Sequence, residues 1–400
     1  MKSDLLSILR TLTPEENRRF SSFLESPFHP HSGLCAAFFK ELSRFYPTYL
    51  LDTESKKLIF KSIYGSETFK DSTYRGLVRN LMLSLMDFLL VEEHLKPGVN
   101  KELNITKILN ERNVTGVVSR SIQEIDQMVE TAPDCDLPAR MLNLYNAEIL
   151  KYNFYNTHGK VLHLNEAENT FIHLNSANLK LSLYYFIEMV SNSINIKIQQ
   201  RMYKQNTSKK YCIIDIDKLP EYDCMFPGTP FEYAYNIYRA LLVLFYSETS
   251  KEHFLKYKLS VQKASDKLSN SELLQHYKLM ISFCIQNKSD IPELTDELWR
   301  LYQLILDKEL FLEGNSQYID TYLFRSIIIL GLRLGYYSEV KAILKKFSIY
   351  VHPNDSMNLE NLGYAYYYYY TGNYDKALGH TSKVELNDFT FKYDLKNLLV

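Results

Sequence analysis

Apolar residues return every three or four positions along most of the chain, and strict alternation is rare. That period marks amphipathic helices with one apolar face. Leu5, Ile8, Leu9 and Leu12 form the first such stripe. At 13–16, Thr13 reads as a cap, Pro14 takes the first helical position and Glu16 completes a capping box. Ser26-Pro27 ends that helix, because proline lacks the amide proton and turns the preceding residue away from the α region. Three more helices follow, with stops at Pro47, at Tyr64-Gly65 and at Pro97-Gly98. Residues 1–97 therefore read as a five-helix unit.

Beyond it, residues 101–206 read as degenerate helical hairpins, with helices expected at 103–112, 116–130, 139–156, 160–175 and 179–204. Residues 207–231 break the rhythm. Pro220, Pro227, Gly228 and Pro230 forbid a continuous helix and predict a long irregular loop held by a few apolar anchors. Helical pattern resumes at 232 and continues to 400, interrupted by small or Gly, Asn and Pro residues every 15 to 20 positions. That spacing belongs to stacked helical hairpins. The expected fold class is all-α, stacked antiparallel hairpins behind an N-terminal helical unit.

The sharpest pattern lies at 358–386. Leu362, Tyr364, Ala365 and Tyr368 occupy one helix, Gly372 a turn, and Tyr374 and Ala377 a second helix. Ala365 and Ala377 are twelve residues apart, at the two small positions where paired helices touch. This segment resembles a tetratricopeptide repeat (TPR). A weaker copy precedes it, with Gly335, Tyr337 and Val340 each 37 residues before Gly372, Tyr374 and Ala377. The family period is about 34, so extra residues are expected between repeats near His352-Pro353-Asn354. Ile328 stands where Ala365 does, so that hairpin is expected to pack differently. The resemblance implies a TPR-like α-α superhelix with a groove that binds a protein or peptide. Asn361, Tyr367 and Tyr370 are the expected groove residues. The Tyr-, Phe-, Asn- and Lys-rich composition is similar to that of Bacteroidetes-type bacterial proteins of unassigned activity.

Charge and candidate chemistry alter this reading little. With 46 basic and 47 acidic residues, the chain lacks the net basic footprint of a dedicated nucleic-acid binder. Arg75 and Arg79 lie one turn apart on a single helix face, and they are the candidate DNA contacts of an alternative reading as a transcriptional or signalling regulator. His29, His31 and Cys35 have no distal partner cluster for a metal. Asp215, Asp217, Glu221, Asp223 and Cys224 lack the alternation and glycine of a calcium loop, and Cys212 lies twelve residues from Cys224. His158, His163 and His173 do not share one helix face. No phosphate-cradling glycine motif occurs, and 13 glycines leave little material for one. No catalytic residue, metal or cofactor is therefore assigned. Five dispersed cysteines argue for a reducing, cytoplasmic setting. The most apolar stretch, 326–334, falls far short of the roughly 20 residues that span a bilayer, so no membrane partner is expected.

Overall fold

The computed structural model of the protein describes residues 4–26, 33–65, 68–131, 136–158, 166–202, 219–312 and 318–384, with Lys396. Among them the secondary structure is helical, apart from one isolated parallel bridge between Ile319 and Val351. The all-α class is thus observed. Among the described residues no helix is long and apolar enough to cross a membrane. The chain divides into two units, Met1–Val117 and Val118–Val400.

The first unit contains α1 (Asp4–Leu9), α2 (Pro14–Leu24), α3 (Gly33–Ser43), α4 (Thr53–Tyr64), α5 (Asp71–Leu95) and α6 (Val99–Glu111). The five helices expected before residue 97 are present, and α6 extends the unit past that boundary. The capping box forms as read: Glu16 N donates to Thr13 Oγ1 at 3.2 Å and Thr13 N to the Glu16 carboxylate at 2.8 Å. Asp52 caps α4 through Ser55 N at 2.7 Å, and Gly65 closes it at φ +65°. The core is aromatic. Phe20 lies 4.7 Å from Phe39 and 5.2 Å from Phe88, and Phe38 meets Tyr74 edge-on at 5.5 Å. The long α5 supplies Leu77, Leu81, Leu85 and Phe88 to this core.

The second unit opens with α7 (Thr115–Thr131), which straddles the division, then α8 (Leu137–His158) and α9 (Glu166–Met202). The sequence pattern predicts two helices where α9 runs unbroken for 37 residues. Its anticipated break, Ser176-Ala177-Asn178, contains neither Gly nor Pro. Ala177 is buried there, and Lys180 on the next turn donates to Ser176 Oγ at 2.8 Å. The same ammonium reaches Glu148 on α8 at 2.6 Å, beside His173 at 2.6 Å and Lys151 at 3.7 Å. Lys151 in turn meets Asp126 of α7 at 2.6 Å. A carboxylate and an ammonium both nearly excluded from solvent are thus mutually paired, as burial of charge requires.

Residues 207–218 of the expected loop lie outside the described residues. The remainder is ordered differently from a loop: α10 (Leu219–Asp223) is helical, and Leu219 and Phe226 are buried in the core of the unit. Pro220 is tolerated there because it sits in the first turn. The helices α11 (Glu232–Tyr246), α12 (Lys251–Lys263), α13 (Asn270–Asn287), α14 (Leu294–Asp307), α15 (Thr321–Arg333), α16 (Tyr337–Phe347), α17 (Pro353–Tyr370) and α18 (Tyr374–Thr381) follow. One apolar core runs through them, from Leu137 and Phe186 to Trp299, Val340 and Tyr366.

The last two hairpins end their first helices identically. Tyr336 N donates to Gly331 O at 2.9 Å across Gly335 at φ +82°, and Asn373 N donates to Tyr368 O at 2.8 Å across Gly372 at φ +76°. Both are Schellman turns, in which only glycine takes positive φ without strain. Ala365 and Ala377 are buried, as their small size suits. The preceding hairpin recovers a close approach elsewhere, because Gly331 replaces Ile328 as its small residue. A Cβ on Gly331 would stand 2.5 Å from Val340 Cγ2 and 2.7 Å from the Trp299 ring. Gly363 of α17 plays the same part against α16, 2.4 Å from Leu344 Cδ2 on the same measure.

Two outcomes are expected. Gly331→Ala destabilises the protein by about 1–3 kcal/mol, since stiff Val340 and the Trp299 ring must both yield. Gly379→Ala, with nothing within 4 Å, leaves stability unchanged or raises it by about 1 kcal/mol. Denaturant titration separates the two. At the Glu148 cluster, burial raises the carboxyl pKa, but hydrogen bonds from Lys180 and His173 and the charges of Lys180 and Lys151 outweigh it and hold the group below its ordinary 4.5. Its contribution is therefore complete above pH 4.5 and is lost as pH falls through the lowered value. Glu148→Gln is expected to cost about 3–5 kcal/mol at neutral pH by stranding Lys180. It should also flatten the acid limb of a stability-against-pH curve.

Candidate functional site

The C-terminal hairpins enclose a cleft of about 440 Å³ between the end of α13 and helices α14, α15 and α17. Its walls carry Lys288, Arg325 and Arg333, and no carboxylate is among the residues lining it. Tyr302, Tyr366, Tyr369 and Tyr370 supply the aromatic surface. Helical spacing explains the set. Residues 325, 326, 329 and 333 fall on one stripe of α15, and 366, 369 and 370 on one stripe of α17. Burial pushes the Tyr302 hydroxyl up to about 12, with a hydrogen bond to Ser326 opposing, so it stays neutral and able to donate. Rigid tyrosine rings bordered by cations form a surface that can stack on, hydrogen-bond and neutralise an acidic polypeptide.

Of the three expected groove residues, Tyr370 lines this cleft. Tyr367 does not; it is half-buried against the core with the Lys341 ammonium 5.8 Å above its ring. Asn361 belongs to the α17/α18 contact. Its amide donates to Met357 O at 2.8 Å, and its carbonyl oxygen lies 3.0 Å from His380 Nδ1. Tyr364 and Tyr368 stack on that imidazole at 5.4 and 5.6 Å. The tyrosine run thus divides by face: 364 and 368 hold α18, while 366, 369 and 370 turn to the cleft. Counting by threes and fours from Tyr370 would have found Tyr366. Nothing in the sequence brings Lys288 or Tyr302 alongside.

A second cleft, about 650 Å³, lies between α11 and α12. Lys256, Lys263 and Lys267 face Tyr233 and Asn236 across it, and two of its cations are paired locally. Lys256 pairs with Glu252 at 2.7 Å, Arg239 with Asp223 at 2.6 Å, and Glu232 stands in the wall. A third cavity, about 230 Å³, holds His276, whose Nδ1 shares a 2.8 Å hydrogen bond with the buried Tyr257 hydroxyl. Burial lowers this imidazole to about 4, so it is uncharged near neutrality.

The remaining candidates are scattered. His29, His31, His163, Cys212, Asp215 and Asp217 lie outside the described residues. Cys35 is buried, and burial pushes its thiol up. Asp223 is engaged by Arg239 and by the Tyr235 hydroxyl at 2.6 Å, and Cys224 is exposed. His173 is bound to Glu148. Among the described residues no three His, Cys, Asp or Glu side chains gather as a metal site. Arg75 and Arg79 project from the outer face of α5, Arg75 paired with Asp71 at 2.6 Å. No family model, curated protein or solved structure matches the chain.

Proposed function

We propose that the protein is a non-enzymatic scaffold that holds an acidic segment of another protein in the cleft lined by Tyr366, Tyr369 and Tyr370. The observation that supports this is the convergence of three cations and four tyrosines from four helices with no carboxylate among them. Tyrosine and arginine are the side chains that dominate binding energy at protein interfaces. The 37-residue recurrence of the two Schellman turns supports a TPR-like reading of the hairpins that frame the cleft. A reducing cytoplasmic setting accompanies it, from the dispersed cysteines. The alternative, a DNA-associated regulator, draws on Arg75 and Arg79 alone, and Asp71 already neutralises the first.

Capture of the tagged full-length protein from lysate of its own host is expected to yield a protein partner in stoichiometric amount. Purified, that partner should bind less tightly as salt rises. Tyr370→Ala combined with Arg333→Gln should weaken it by tenfold or more without moving the melting temperature appreciably. Unchanged affinity in the double variant would remove the cleft from the reading. Enriched DNA in place of protein, lost on changing Arg79, would favour the regulator.

A further inference from the structure

Helix α5 buries one face and leaves the opposite one bare. Tyr74, Leu77, Leu81, Leu85 and Phe88 point into the core of the first unit. At 100° per residue, the opposite line reads Arg75, Arg79, Leu83, Met86, Leu90, Glu93. Leu83, Met86 and Leu90 are 43%, 50% and 58% exposed, an uninterrupted apolar stripe on the solvent side. Exposed apolar side chains set singly need no explanation, but consecutive ones at 3-4 spacing form a helix-packing seam. The charge pattern along this line has a direction. It begins basic, is apolar in the middle and ends acidic.

We propose that this face of α5 is a two-fold interface on which a second copy of the chain packs its own α5 antiparallel. An isologous contact requires a self-complementary surface. With the axis at Met86, Arg79 lies seven residues before it and Glu93 seven after, so each Arg79 stands opposite the partner copy's Glu93. Leu90 of each copy then meets Leu83 and Met82 of the other. A parallel pair would set Arg79 against Arg79 and Glu93 against Glu93. Antiparallel packing also opposes the two helix dipoles. Glu93 pairs with Lys96 at 2.5 Å within its own helix, but both are two-thirds exposed, and such surface pairs exchange at little cost. Arg79 has no ion-pair partner among the described residues.

The test is sedimentation equilibrium of the full-length chain from micromolar to sub-millimolar concentration. A species of twice the 47.0 kDa chain mass is expected. Leu83→Glu with Leu90→Glu should leave only monomer with unchanged helical circular dichroism. Arg79→Glu alone, and Glu93→Arg alone, should each weaken the dimer tenfold or more. The double swap Arg79→Glu/Glu93→Arg should restore it. Within one copy these residues are 14 positions apart, about 21 Å along the helix, so rescue reports a contact between copies and no local effect. A monomeric wild type overturns the proposal, as would be found were the face covered by another partner or by the chain itself. A dimer indifferent to Leu83→Glu/Leu90→Glu, or a double swap no better than its parents, overturns it equally.

Discussion

Helix α15 is clamped where no side chain fits. At Gly331 the backbone meets Val340 on α16 and the Trp299 ring on α14, and Trp299 stacks on Tyr336 at 5.2 Å. Gly363 repeats the arrangement two helices further on, against Leu344 and Ile328. At Gly331 the contacts are made by backbone, a β-branched side chain and an indole ring, so α15 has little freedom to slide against α14 and α16. The outer stripe of α15, with Arg325, Ser326 and Arg333, is thereby held in register with Tyr366, Tyr369 and Tyr370 of α17. The cleft owes its shape to the packing behind it.

Buried charge is handled by pairing across layers. Glu148 joins α8 to α9, and Glu297 of α14 accepts from both Lys258 on α12 and Arg300 one turn away. Lys197 of α9 donates to the Phe245 carbonyl at the end of α11 and lies 4.3 Å over the Tyr246 ring. Burial lowers the pKa of that ammonium, followed by repulsion from Arg201, so the carbonyl and the ring face compensate a real penalty. Apart from the Glu297–Arg300 pair within α14, these pairings join residues 32 to 48 positions apart and tie one helix to another.

What was legible in the sequence was local. The Thr13–Glu16 box and the glycines at 335 and 372 are written within five residues of where they act, and all form. Helix continuity was harder. Ser176-Ala177-Asn178 looks like a gap, but Ala177 is buried and Lys180 ties the turn to Glu148, so tertiary contacts override weak propensity. Of the three residues expected in a groove, one lies in the candidate cleft. Tyr370 could be chosen from its place in an over-aromatic helix. Asn361 was drawn instead to His380, and Tyr367 to the core beneath Lys341. Lys288, Tyr302 and Arg333 enter the cleft only through the stacking of α13, α14 and α15.

The unbroken α9 has a mechanical meaning. At 37 residues it is about 55 Å long, and no Gly or Pro interrupts it. Its charged anchor at Lys180 lies some 31 Å from Arg201, which reaches α13 through Gln286 at 3.0 Å. A tilt of about 5° pivoted at Lys180 sweeps Arg201 through roughly 3 Å, the whole length of that hydrogen bond. Geometry alone would magnify a tilt at the near end, and the contacts of Lys197 with α11 and of Arg201 with α13 brace the far end against it.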